Sequence, residues 1–163
     1  MSIQYDQTST SAFSYAFSDR QQATIREAIS ILETRIREAD AYTNPTAVRA
    51  FCQLQLATEL DEHFACMFLD SQHRLIAFER IFSGTIDGAS VYPRVIVRRS
   101  LELNAAAIIF AHNHPSGNPT PSRDDEAITK RLKDALALVD VRVLDHIIVG
   151  VESTVSMAEL GQL

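Results

Sequence analysis

His112 and His114 flank a single residue, and a serine–aspartate pair, Ser122 and Asp125, follows a loop that contains Pro115, Pro119 and Pro121. An apolar run, Ala105 to Phe110, leads into the histidines, and a long amphipathic stretch, Arg123 to Val139, leads out. Side chains on a strand repeat with period two, so His112 and His114 point to the same side. Two imidazoles on one side can grip one transition metal, and Asp125 in the first turn of the following helix can add a carboxylate oxygen. The prolines restrict the loop backbone and hold strand end and helix start at a fixed separation. Two nitrogens and one oxygen suit zinc, and three protein ligands leave a fourth position for water, as in a catalytic rather than a structural site.

A water at such a site needs a proton acceptor. Glu62, immediately before the first strand, and Glu79, within the second, are both candidates, and spacing alone does not choose between them. Ser-x-x-Asp is also a helix-capping pattern. For Ser122, capping and a hydroxyl aimed at an oxyanion coexist. For Asp125, capping and metal binding compete. His146 follows Asp145 within the last strand; as strand neighbours they face opposite ways, and one of them could support the site from behind. His63 and His73 read as surface or turn residues. Related letter patterns fail. The H-N-H nuclease takes its residues from separated parts of a ββα motif, zinc deaminases need H-x-E with a later P-C-x-x-C, and helical zincins need H-E-x-x-H.

The elements that must position these residues follow the pattern of apolar spacing. Met1 to Phe17 has no clear periodicity and reads as a loosely docked tail. Ser18 and Gln21 form a capping box, and Ile25, Ala28, Ile29, Leu32 and Ile36 keep helical spacing to about Ala39. This helix packs on its own domain by default. Asp40 to Thr43 is a connection. Asn44-Pro45 starts a second helix with the stripe Val48, Cys52, Leu56 and Leu60. His63–Leu69 and Arg74–Phe82 read as a hairpin, followed by a glycine-containing loop, Gly84 to Ala89. Pro93 opens a helix to about Asn104, with Val95, Ile96, Leu101 and Leu103 partly inward. Ala105–His112 is the strand bearing the histidines. Arg123–Val139 is the long helix, with Ile128, Leu132, Leu136 and Leu138 inward, and Val141–Val149 another strand. Ser156 and Glu159 predict a short final helix. Strands and helices alternate after residue 62, so the expected fold class is α/β with a mixed sheet and helices on its faces.

The 163 residues suit one domain with a real core. A net charge of −6 disfavours a nonspecific grip on nucleic acid, and Arg94, Arg98 and Arg99 read as a solvated helix face. The two cysteines, Cys52 and Cys66, form no C-x-x-C pair, which fits reduced thiols in a cytoplasm. No basic N-terminal flank precedes an apolar core, and no apolar run approaches the ~20 residues that span a bilayer.

His112-x-His114-Pro115 followed by Ser122-x-x-Asp125 resembles the JAMM motif of MPN/JAB-domain metalloproteins. The surrounding text, from Glu62-His63-Phe64 through Tyr92-Pro93-Arg94 and His112 to Gly117 to Val143-Leu144-Asp145-His146, resembles the bacterial RadC-like (UPF0758) branch. The resemblance runs from about Asn44 to the C-terminus. It implies an N-terminal tail and helix over residues 1–42 and an MPN domain over 43–163, with a curved mixed sheet similar to cytidine-deaminase architecture. It implies that Zn2+ is held by His112, His114 and Asp125, that Glu62 rather than Glu79 is the base, and that Ser122 stabilises the oxyanion. The activity implied is zinc-dependent hydrolysis of a peptide or isopeptide bond in a protein or peptide substrate. The alternative is a non-catalytic DNA-repair-associated or protein-interaction module with a vestigial or structural metal site. Residues 1–42 are too short for the helix-hairpin-helix region of longer RadC-like proteins, which together with the acidic balance weakens a DNA-repair role.

Overall fold

The computed structural model describes residues 17–39, 44–84 and 91–163. Within them the chain order is α1 (Asp19–Glu38), α2 (Pro45–Leu56), β1 (His63–Leu69), β2 (Leu75–Ser83), α3 (Pro93–Glu102), β3 (Ala107–Asn113), α4 (Arg123–Ala137), β4 (Arg142–Val149) and β5 (Thr154–Ser156). The strands form one sheet in the order β2-β1-β3-β4-β5. β3 and β4 are parallel, joined through α4, and the other neighbours are antiparallel. The fold is therefore the expected α/β with a mixed sheet between helices.

Helix starts follow local chemistry. Ser18 and Gln21 form the capping box of α1, and Asn44 accepts from the Ala47 N–H ahead of Pro45 in α2. Ile36 is buried, and the Arg37 guanidinium donates to the carbonyls of Leu75 and Ile76, so α1 docks on its own domain. Among the described residues no helix is long and apolar enough to cross a membrane.

The sheet separates two cores, and the period-two alternation of its strands sorts side chains between them. Ala107, Ile109 and Ala111 of β3 join Ala65 and Met67 of β1 beneath α1 and α2, with Val48, Phe51 and Leu56. Ile108 and Phe110 join Phe64, Cys66 and Phe68 beneath α3 and α4, with Ile96, Leu132 and Leu136. Each fully buried Leu or Phe contributes roughly 1.5–3 kcal/mol. His112 continues the phase of Ile108 and Phe110 and so faces α4. Asn113 takes the opposite phase.

Strand β4 breaks the alternation. Val143 opposes Ile108 and Asp145 opposes Ile109, so Leu144 has no partner across the ladder. This surplus residue re-phases the strand. Val143 packs in the α3/α4 layer, Leu144 in the α1/α2 layer, and His146 returns to the α3/α4 layer against the rings of Phe64 and Phe110.

Four expectations need correction. The C-terminal segment forms β5 and turns rather than a final helix: the Ser156 hydroxyl does accept from the Glu159 N–H, but Ser156 itself pairs with β4. Leu60 and Leu138 lie beyond their helix ends and are 79% and 86% exposed. Leu101 is also exposed, and Ser100 takes the inward position, its hydroxyl bonded to the Ile96 carbonyl. His63 is no surface residue: it opens β1 half-buried, with Nε2 3.5 Å from Glu59. His73 does occupy a turn, at φ 58°. The tail to Ala16, the connection Asp40–Thr43 and most of the glycine-containing loop lie outside the described residues.

Candidate metal centre

The long helix α4 carries its buried residues at Asp125, Thr129, Leu132 and Leu136, one stripe at helical spacing. Leu132 and Leu136 anchor the stripe in the core. The same stripe therefore delivers Asp125 and Thr129 to the sheet face where His112 and His146 point. His114 lies just past β3, but its N–H donates to the Val149 carbonyl at 2.9 Å and keeps it in line with β4. The loop then turns at Gly117, where φ is +83°, and its N–H returns to the His114 carbonyl.

The Nε2 atoms of His112 and His114 are 2.8 Å apart. Asp125 Oδ1 is 3.1 Å from Nε2 of His112, and Oδ2 is 3.5 Å from Nε2 of His114. Glu62 offers a carboxylate oxygen that, with one nitrogen from each histidine, forms a set whose members lie within 4.8 Å of one another. His112 and Asp125 are fully buried, while Glu62 and His114 are half-buried at the mouth. Glu79 does not join them: it holds Arg99 through contacts of 2.6–3.1 Å on the far strand.

Ser122 and Asp125 do form a capping box. The Asp125 N–H donates to Ser122 Oγ at 3.1 Å, and the Ser122 N–H and hydroxyl both donate to Asp125 Oδ2 at 2.7 Å. The expected competition for Asp125 does not arise, because a carboxylate has two oxygens. Oδ2 caps the helix, and Oδ1, buried, has no hydrogen-bond partner among the described residues.

Hydrogen-bond logic fixes the tautomers around the site. His114 Nδ1 lies 2.7 Å from the Asn118 carbonyl, which can only accept, so Nδ1 bears the proton and Nε2 a lone pair. The Thr129 hydroxyl donates to the Asp125 carbonyl at 2.5 Å and therefore accepts from His146 Nδ1 at 2.6 Å. His146 Nε2 then accepts from His112 Nδ1 at 2.8 Å, leaving the lone pair of His112 Nε2 aimed at His114. With both imidazoles neutral, two ring lone pairs and a carboxylate oxygen thus converge with no proton between them. Such a set repels itself and is matched by a cation, so these residues fit a divalent metal.

A proton can compete with a cation for this place: hydrogen bonding to Asp125 favours protonated His114 and raises its pKa against the opposing effect of burial. Burial pushes the Asp125 carboxyl up, but the imidazoles of His112 and His114 and the Ser122 hydroxyl outweigh it and hold it well below the usual carboxylate range. Burial, then the nearby His112, pushes His146 well below its ordinary value, so it serves as a neutral relay.

Thr129 and Asn113 escape a reading of the sequence. A polar residue on the inward stripe of α4, four positions after Asp125, is the only trace of Thr129. His146 is visible as a residue near the site, but the bulge at Leu144 that aims it leaves no mark in the pattern.

A family model described as a RadC-like JAB domain matches residues 42–162. A UPF0758 protein of Thioalkalivibrio sulfidiphilus is 57% identical over 142 residues, 87% of this chain and 63% of that protein. One from Methylibium petroleiphilum is 58% identical over 132 residues, 81% of this chain and 60% of that protein. A UPF0758 protein of Vibrio cholerae is 50% identical over 151 residues, 91% of this chain and 95% of its own length. The chain thus spans about three fifths of the first two relatives and nearly all of the third. On this agreement of motif, fold and matched length, the chain belongs to the RadC-like JAB-domain family, UPF0758.

Proposed function

We propose that the chain is a zinc-dependent hydrolase of JAMM type that cleaves a peptide or isopeptide bond. The observation that carries this reading is the convergence of bare His112 Nε2, His114 Nε2 and Asp125 Oδ1 beside the half-buried Glu62. His112, His114 and Asp125 would hold the ion, which when bound supplies Lewis acidity to a water and to the scissile carbonyl. Glu62 accepts a proton from the attacking water and delivers it to the leaving nitrogen, so that water and amide become acid and amine. The Ser122 hydroxyl, now on Asp125 Oδ2, can rotate about its Cβ–Oγ bond to donate to the oxyanion. The α4 amides stay capped meanwhile, because Oγ keeps its acceptor role toward the Asp125 N–H.

The proximity of Glu62 to the imidazoles also favours a second reading, in which Glu62 is itself a ligand. One experiment separates them. Wild type, Glu62→Gln and Asp125→Ala are loaded with zinc, assayed for metal content, and tested on a panel of peptide- and isopeptide-linked conjugates. The expected result is that Glu62→Gln keeps its zinc and loses turnover by about 10²–10⁴-fold, while Asp125→Ala loses both. Loss of zinc from Glu62→Gln supports the ligand reading. Unchanged turnover in that variant, or no hydrolysis by wild type on any linkage, overturns the proposal.

A further inference from the structure

Asn113 separates the two histidines and points the other way. It is 2% exposed, and its carboxamide is spent on the backbone around Glu62. Oδ1 accepts from the His63 N–H at 2.8 Å; Nδ2 donates to the Asp61 carbonyl at 2.9 Å and to the Glu59 carbonyl at 3.4 Å. The register that pairs Phe64 with His112 ends there, so the Asn113 side chain extends the β1–β3 ladder for one further step. The bonds to His63 and Asp61 fall on the residues flanking Glu62. The Glu62 carbonyl itself accepts from the Gly84 N–H at 2.9 Å. Backbone on both sides of Glu62 is thus fixed to the strand that carries the histidines.

We infer that Asn113 is a positioning residue: its carboxamide clasps residues 59–63 and sets the distance of the Glu62 carboxylate from His112 and His114. The inference rests on the reading of Glu62 as the base beside a bound metal. A hydrophobic residue could fill the volume but could not serve one donor and two acceptors at once. One side chain thereby couples β3, which presents the imidazoles through His112 and His114, to the turn that presents the base. Both parts of the centre are then registered against the same strand.

Cobalt(II) bound to the full chain is a probe that needs no substrate. Co2+ affinity and the visible spectrum at pH 7 are measured for wild type, Glu62→Gln, Asn113→Ala and the double variant. The expected result for Asn113→Ala is a Co2+ affinity within about threefold of wild type, because the ligands are untouched, and a spectral change like that of Glu62→Gln. In the double variant the spectrum changes no further, because the two substitutions remove one effect. Should Asn113→Ala fail to fold by circular dichroism, the smaller, still polar Asn113→Ser carries the same comparison. A wild-type spectrum in the folded Asn113 variant, beside a changed one in Glu62→Gln, overturns the clasp alone. Additive changes in the double variant also overturn it. A wild-type spectrum in Glu62→Gln overturns the assignment of Glu62 and the clasp with it.

Discussion

Replacing Thr129 by Val tests the relay that fixes the His112 tautomer. Thr129 is 1% exposed, and Val has nearly its shape, so packing survives and only the hydroxyl is lost. That hydroxyl accepts from His146 Nδ1 and donates to the Asp125 carbonyl. Without it the buried Nδ1–H has no acceptor, which costs about 1–3 kcal/mol of apo-protein stability. His146 can escape that cost by moving its proton to Nε2. It then donates to His112 Nδ1 and drives the His112 proton onto Nε2, where the metal must bind. Zinc affinity is expected to fall by about 10–100-fold, or roughly 1.4–2.7 kcal/mol. Thr129→Ser is the matched control: it keeps the hydroxyl and leaves a methyl-sized gap. It should lose about 0.5–1.5 kcal/mol of stability and hold zinc like wild type. Urea unfolding of the metal-free proteins gives the stabilities, and competition with a chromogenic chelator gives the affinities. Wild-type zinc binding by a folded Thr129→Val protein, or equal weakening by Ser and Val, would refute the relay.

Three further outcomes are expected. Burial pushes the Cys52 thiol up to about 12 and the Cys66 thiol well above its ordinary value, so neither should react with a thiol reagent at pH 8 until the chain unfolds; one fast-reacting thiol in the native protein would contradict this. Glu59, hydrogen-bonded to His63 and paired with Arg80 against a burial penalty, has a depressed pKa. Its contribution to stability is present above pH 4.5, its ordinary pKa, and is lost as pH falls through the lower folded value, so Glu59→Gln should flatten the acid limb of a plot of melting temperature against pH. A Cβ added at Gly150 would strike the Gly117 carbonyl oxygen and lie 2.9 Å from Pro119 Cδ. Gly150→Ala should cost about 1–3 kcal/mol and weaken metal binding by displacing the loop behind His114; an unchanged melting temperature and zinc affinity would count against that packing.

Much of this architecture is legible in residue patterns. The alternating phase of Ile108, Phe110 and His112 states which way the histidine faces, and the stripe of Leu132 and Leu136 states which face of α4 is inward. The capping letters at Ser18, Asn44 and Ser122 mark helix starts because orphan N–H groups need acceptors there. Apolar letters past a helix end mislead: Leu60 and Leu138 continue the periodicity, but the backbone turns away before reaching them. The centre is less legible than the fold. Spacing does not show that Glu79 pairs with Arg99, a contact between β2 and α3, while Glu62 lies beside the two imidazoles. The dual use of Asp125 depends on which oxygen faces which neighbour, and letters carry no such information.

The surplus residue Leu144 places one residue of slack in β4, upstream of the centre. Deleting it would close the bulge and leave Val143 opposite Ile108, Asp145 opposite Ile109 and His146 opposite Phe110, so each would keep its present layer and the ring behind His112 its side of the sheet. What would be lost is the packing of one leucine in the α1/α2 layer. This strand should therefore tolerate a change of count at position 144 far better than at His146 or beyond, where every residue is paired and a deletion would turn the side chains that follow to the other face.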